Sequence, residues 1–210
     1  TVFYTFWATV FNLALGMCVL ELTPNSPEGS VLLAVCLRRA VIAKLIAEQR
    51  ALPNPDDYFT LGMLLEIGLL VKARSDVTAA VTLASAPAHT RITMERAAGQ
   101  EDHAKLGSRL ARSWQLGEEV ANALLYHHDR APRGSSLSEV AWLTEVMAGV
   151  FESGDAPRSH SQAVEAANLL QLRGSVVDDL LRKTPDTLAE AARHFGRDLG
   201  AHAQGDHRRR

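Results

Sequence analysis

The hydrophobic and polar positions of the chain recur with helical spacing over almost its whole length, and alternation typical of strands is nearly absent. This pattern predicts helices over residues 2–21, 28–50, 58–71, 102–114, 118–128, 137–151, 161–170 and 175–195, the last interrupted or bent at Pro185. Breaker segments at 23–27 and 52–55 separate the first three. The sequence therefore predicts an all-α protein, a multi-helix bundle.

The first twenty residues contain no charged side chain, a length that could span a bilayer. Interspersed Thr and Asn residues and the lack of basic flanks favour a buried helix instead. We expect residues 1–27 to be an apolar helix left from an upstream helical subdomain of a longer protein, 28–200 the main helical domain, and 201–210 a disordered tail. Because monomers seldom expose large apolar patches, a homodimer formed through the first helix would cover it.

Glu66 is the only charge in the third predicted helix, 58–71, which is otherwise apolar on all sides. An unpaired buried carboxylate costs several kcal/mol, so Glu66 needs a hydrogen-bonding or cationic partner, or a proton. The second helix places Arg38 and Arg39 on the side opposite its apolar stripe. Candidate partners for Glu66 come from two later helices.

Histidine side chains supply those candidates. His103 heads the apolar stripe of its helix, so it should face inward. The stripe of the next helix is centred near the direction of His128, whereas His127 lies about 100° away at its edge. Histidines and carboxylates that meet on one core face are what a metal site in a helical bundle requires, and also what a plain buried polar network requires.

Composition excludes several other classes. The chain has 22 Lys and Arg against 24 Asp and Glu, a net charge of -2, which gives no electrostatic reason to expect nucleic acid or an anionic membrane as partner. Cys18 and Cys36 lie in apolar stretches without metal-ligand spacing, as in a reducing, cytoplasmic protein. No GxSxG, HExxH, P-loop or GxGxxG motif is present.

Residues 58–129 resemble the HDOD domain, the metal-dependent hydrolase-related output domain of bacterial signalling proteins. The matching features are YFTLGMLLEIGLLV, then Glu95, then GQEDHAKLGSRLARSWQLGEEVANALLYHHD. The resemblance implies a helical bundle of the HD/HDOD type, here lacking part of the usual N-terminal subdomain. It also implies a relic metal or ligand site that comprises Glu66, His103, His127, His128, Asp129 and Glu145.

The departures from the catalytic pattern concern the metal ligands. HD phosphohydrolases hold metal with an early His, an adjacent His-Asp pair and a late Asp. The pair falls here on Leu65 and Glu66, the early His on Val35 or Thr9, and the late Asp near Thr144 or Glu145. Leucine and valine cannot bind a metal, and metal-assisted hydrolysis needs several protein ligands. We therefore expect no catalytic residue, no cofactor and no bound metal.

Two hypotheses follow. The first is a non-catalytic, cytoplasmic signalling module that acts through partner proteins, or through a receiver or cyclic-dinucleotide domain outside this chain. The second is a divergent HD phosphohydrolase acting on a nucleotide or cyclic dinucleotide, with one metal held by Glu66, His103 and His128. The first hypothesis predicts no metal in the purified protein, and the second predicts metal that His103→Ala removes.

Overall fold

A computed structural model describes residues 2–129 and 135–194, with the side chains of 12–129 and 135–193. Eleven helices lie in this part of the chain: α1 (Val2–Leu22), α2 (Pro27–Gln49), α3 (Pro55–Leu64), α4 (Ile67–Ala73), α5 (Val77–Ser85), α6 (Ala88–Ala97), α7 (His103–Ser113), α8 (Glu118–Tyr126), α9 (Ser136–Glu152), α10 (Ala156–Leu169) and α11 (Gly174–His194). It contains no strand, so the all-α prediction is confirmed. The predicted tail, 201–210, lies outside the described residues.

Helix α2 is the centre of the bundle and packs against α3, α5, α9 and α11. Ser26 caps it by accepting a hydrogen bond from the Gly29 N–H, and Pro27 occupies the first helical position. Because helices surround α2 on several sides, Arg38 and Arg39 are buried too, and Arg39 is completely inaccessible. The placement of Arg38 and Arg39 on a side away from the core is therefore wrong.

The continuous helix expected over 58–71 is in fact two helices. The Leu65 N–H bonds to the Gly62 carbonyl oxygen, three residues back, and Glu66 leaves the helical conformation with φ of -101° and ψ of 16°. Helix α3 also lies so close to α2 that a Cβ atom on Gly62 would collide with the Arg39 carbonyl oxygen. The break places the Glu66 carboxylate against α2 rather than on a smooth helical surface.

Helix α1 packs against α3 and α4. Leu15 and Val19 are buried there, whereas Leu13 and Met17 remain 63% and 55% exposed. The Asn12 side-chain amide donates a hydrogen bond of 2.8 Å to Asp57 at the start of α3. None of the helices in residues 2–129 and 135–194 is long and apolar enough to cross a membrane.

Helices α5 and α6, which the sequence pattern does not predict, lie between α4 and α7 in the chain. Helix α6 contacts α5, α7 and α9, so it reaches the middle of the molecule. Near the C-terminus, α9 and α11 match the predicted helices, whereas α10 begins at Ala156, before the predicted start at 161. Helix α11 continues through Pro185 without interruption.

Candidate functional site

Two guanidinium groups hold the buried carboxylate of Glu66. Its Oε1 atom lies 3.0 Å from Arg39 Nε of α2 and 2.6 Å from Arg91 Nη1 of α6. All three side chains have 1% of their surface exposed or less. The other oxygen, Oε2, lies 3.4 Å from His103 Nε2 and makes no hydrogen bond to any described residue. Glu66 thus joins a charged region on one side to a histidine-rich region on the other.

The charged region extends through α9. Arg39 binds both Glu145, through Nε at 2.8 Å and Nη2 at 3.1 Å, and Glu152, through Nη1 at 2.8 Å. Arg91 also contacts Glu152, at 2.8 Å, and Arg38 contacts it at 3.3 Å. We call this set the buried ion network; its members are Arg38, Arg39, Arg91, Glu66, Glu145 and Glu152.

The network keeps Glu66 and Glu145 ionised. Burial by itself would raise the pKa of Glu66, but the positive charges of Arg39 and Arg91 outweigh it and lower the pKa to about 2. Burial likewise opposes ionisation of Glu145, and the positive charge of Arg39 lowers its pKa well below the usual value. Burial and the negative charge of Glu66 raise the pKa of the Cys36 thiol to about 12, so Cys36 is not a nucleophile at neutral pH.

His103, at the first position of α7, is fixed on its outer side by Glu95 of α6. Glu95 Oε2 lies 2.7 Å from His103 Nδ1, and both carboxylate oxygens accept a bond from the His103 backbone N–H. Lys72 of α4 lies 2.7 Å from the same carboxylate. Burial acts to raise the pKa of Glu95, but these contacts lower it, so Glu95 is the anionic partner of the His103 imidazole.

His127 and His128 follow α8 directly and complete the histidine cluster, defined as His103, His127 and His128. His128 Nε2 lies 2.9 Å from His103 Nε2, and the ring centroids of His127 and His128 are 4.1 Å apart. The Nδ1 atom of His127 contacts the Leu124 carbonyl oxygen at 2.6 Å, while its buried Nε2 has no partner among the described residues. Burial lowers the pKa of both side chains, most strongly that of His128, so both are neutral at pH 7.

The structure brings together most of the residues that the sequence indicated. Glu66 and the histidine cluster present ligand atoms that all lie within 4.8 Å of one another, and Glu145 stands beside them, 3.4 Å from His128 Nδ1. Asp129 is exposed and lies outside this set. His127, placed at the edge of the apolar stripe, is completely buried because α8 ends at Tyr126 and the helical projection no longer applies beyond it.

Sequence reasoning missed the partners that matter most to Glu66. Arg39 could have been suspected, since an arginine pair interrupts the long apolar run 31–47 and must be buried if that helix is central. Arg91 belongs to a helix that the pattern did not predict, and its sequence neighbourhood carries no comparable signal. Glu152, at the end of α9, lies one residue beyond the helix predicted over 137–151.

A cleft of about 430 Å³ opens onto the histidine cluster. His127, His128 and Glu145 form part of its wall, and residues from the start of α6 and from α9 and α10, such as Trp142 and Leu169, form the rest. The residues present fit a single metal ion. Glu66 Oε2 and His127 Nε2 are buried and make no hydrogen bond to any described residue, and ligand atoms of Glu66 and the histidine cluster all lie within 4.8 Å of one another. They do not fit two ions, because guanidinium groups already neutralise the remaining carboxylates.

Comparisons with known proteins give a family and a fold. The family model for the HDOD domain matches residues 7–130. One solved structure, named "Putative phosphohydrolase" from Shewanella amazonensis SB2B, superimposes with a TM-score of 0.54 at 21% identity, over 73% of this chain and 59% of that one. The chain thus spans less than two thirds of that neighbour, and at this identity the likeness concerns the fold alone. No curated protein matches the sequence.

Proposed function

The chain belongs to the HDOD family, and from that premise we propose that it is a non-catalytic regulatory module of a bacterial signalling system, acting in the cytoplasm through protein–protein contacts. Its partner would be a signalling protein or a receiver or cyclic-dinucleotide domain outside this chain. Neither nucleic acid nor a membrane is needed for this role.

The observation that carries the proposal is the position of the Arg39 guanidinium between three carboxylates. A hydrolytic metal centre uses acidic side chains to hold its cations and leaves a position open for water. Here the carboxylate oxygens of Glu145 and Glu152 accept hydrogen bonds from Arg39, and Glu152 also contacts Arg91. The side chains at two expected ligand positions, Leu65 and Val35, are buried hydrocarbons. A buried ion pair of this kind fixes the arrangement of helices and supplies no reactive group.

The alternative is a divergent metal-dependent phosphohydrolase, which one observation favours. The histidine cluster borders an open cleft of about 430 Å³, large enough for a small phosphate ester. In that role Glu66, His103 and His128 would hold the metal that polarises the phosphate, and the cleft would accept the rest of the substrate.

A hydrolysis assay separates the two functions. The purified chain would be incubated with p-nitrophenyl phosphate, bis(p-nitrophenyl) phosphate, a nucleotide and a cyclic dinucleotide, each with Mg²⁺, Mn²⁺ or Zn²⁺. We expect product formation equal to that of a matched His103→Ala variant prepared in the same way. Turnover that rises with protein concentration and disappears in His103→Ala would refute the non-catalytic role.

The first helix offers one surface for such contacts. Leu13 and Met17 project from α1 with more than half of their surface exposed, although the same helix buries Leu15 and Val19. We propose that a second copy of the chain covers this apolar face, so that the module acts as a homodimer. The solution mass of the purified chain, measured by light scattering, tests this directly.

A further inference from the structure

We propose that the cleft formed by α9, α10 and the start of α6 binds a small organic amine, a molecule with an apolar body and a protonated amino group. This inference deepens the proposed regulatory role, on which it rests, because it names the class of ligand that the module would sense. The cleft has a volume of about 430 Å³. Sites for small molecules usually have volumes of about 300–1,000 Å³, so the space is sufficient.

The apolar part of the cleft lies between two helices. Helix α9 contributes Trp142, Val146 and Gly149, at spacings of three to four residues, so they share one helical face. Helix α10 contributes Ala166 and Leu169, three residues apart. A Cβ atom on Gly149 would meet no heavy atom within 4 Å, and Leu169 is 55% exposed. The apolar body of a ligand would fill the space at Gly149 and cover Leu169.

The charged side chains in the wall of the cleft are carboxylates. Glu145 and Glu165 are present, and none of the described lining residues is Lys or Arg. The buried ion network, to which Glu145 belongs, adds no net charge because it contains three arginines and three glutamates. An anionic ligand would therefore meet no ammonium or guanidinium group in the described part of the wall. A protonated amine would meet groups of complementary charge.

A buried acceptor in the same wall lacks a donor. The Leu124 carbonyl oxygen can only accept, so its contact of 2.6 Å places the hydrogen of the neutral His127 side chain on Nδ1. His127 Nε2 then carries a lone pair, and it makes no hydrogen bond to any described residue although His127 is completely buried. Buried acceptors are normally satisfied. An amino group can supply the missing hydrogen, whereas an ionised carboxylate or phosphate cannot.

The direct test uses tryptamine as the probe, with the whole chain kept free of metal by a chelator. Its indole ring provides the apolar body, and its ammonium group provides the donors. Isothermal titration calorimetry at pH 7 should show saturable binding of one tryptamine per chain. Indole-3-propionate has the same ring and a carboxylate in place of the amine, and it should bind at least about 10-fold more weakly.

Two variants locate the binding in the cleft. Gly149→Leu should abolish tryptamine binding, because its side chain would extend into open space of the cleft without striking the fold. Glu165→Gln should weaken binding about 2- to 5-fold, as expected for loss of one partly solvated charge pair. Glu119→Gln is the matched control, since Glu119 is an exposed residue of α8 outside the lining of the cleft. Circular dichroism would verify that each variant folds.

The outcomes separate this inference from the proposed function. Absence of saturable tryptamine binding by the folded wild-type chain would overturn the inference, and so would equal binding of indole-3-propionate. Unchanged binding in both folded Gly149→Leu and Glu165→Gln would also overturn it. These results would leave the non-catalytic role intact. Hydrolysis of p-nitrophenyl phosphate by the same preparation would refute the non-catalytic role and, with it, a cleft that favours amines over phosphate esters.

Discussion

Replacing Arg39 with Met tests whether the buried ion network holds the bundle together. Methionine keeps a long apolar stem but removes the charge and every guanidinium hydrogen bond. Glu66 and Glu152 would still contact Arg91, and Glu152 would also contact Arg38. Among the described residues, Glu145 would lose its one guanidinium partner and keep the contact with His128, 3.4 Å away. The variant therefore leaves one buried carboxylate almost uncompensated.

The expected loss of stability follows from that imbalance. Removing one partner of a buried ion pair typically costs about 3–5 kcal/mol, because the remaining charge stays desolvated. The free energy of unfolding of an ordinary domain is about 5–15 kcal/mol, so Arg39→Met should remove a large part of it. With a urea dependence of about 1–3 kcal/mol per molar, the unfolding midpoint should fall by about 1 M or more.

Urea unfolding followed by circular dichroism at pH 7, with chelator present, measures this change. Arg109→Met is the control, since Arg109 is exposed and its contact with Glu101 is at the surface, where ion pairs contribute little. The double variant Arg39→Met/Glu145→Gln should recover part of the loss because it removes the unpaired charge. The difference between wild type and Arg39→Met should also shrink below pH 4.5, where the variant's carboxyl groups can take up protons.

The reasoning would be refuted if Arg39→Met cost less than about 1 kcal/mol and Glu145→Gln gave no recovery. That result would mean that the carboxylates are neutral or hydrated in the folded chain. It would also remove the main support for a non-catalytic site, because the same acids would then be free to hold a cation.

Further predictions concern packing, pH and association. Gly68→Ala should destabilise the chain by about 1–3 kcal/mol in thermal or urea unfolding, because its Cβ would strike the His103 backbone, whereas Gly149→Ala has open space and should be neutral or stabilising. In metal-free protein, burial lowers the pKa of His127 and His128, so the unfolded chain binds more protons than the folded chain below pH 6.5. The unfolding free energy should therefore fall with decreasing pH, by up to about 1.4 kcal/mol per pH unit for each histidine. An unchanged pH dependence of the unfolding free energy in His127→Phe would contradict this. Leu13→Glu should convert a dimer to a monomer in light scattering, and a wild-type monomer would exclude the proposed interface.

The sequence was sufficient for the fold class and for the inward direction of His103, because both depend on helical periodicity, but not for His127, which lies beyond the end of α8. His103 could be placed correctly since it begins an amphipathic helix whose apolar stripe it heads. The break after Leu64 was missed because apolar residues continue through it and no Pro or polar cluster marks it. The helix ends there because of tertiary packing against α2, which a local pattern does not contain.

The partners of Glu66 could not be found for a related reason. Periodicity assigns a residue to a face of its own helix, but it does not say how many faces are covered. Arg39 is buried because α2 is surrounded, and Arg91 reaches Glu66 only because α6 packs against α9. The identity of an ion pair between distant helices depends on the three-dimensional arrangement, and 25 residues separate Glu66 from Arg91.

The equal number of arginines and glutamates in the buried ion network also constrains how this lineage can evolve. A substitution that removes one charge leaves another uncompensated in the core, so its members should be replaced in compensating pairs among descendants. Ligands introduced at Leu65 or Val35 would not by themselves create a two-metal centre, because Arg39 would still bind the carboxylates. A lineage that lost Arg39 first would pass through an unstable intermediate. Arg39 therefore both stabilises the fold and holds the acidic side chains that a second metal ion would need.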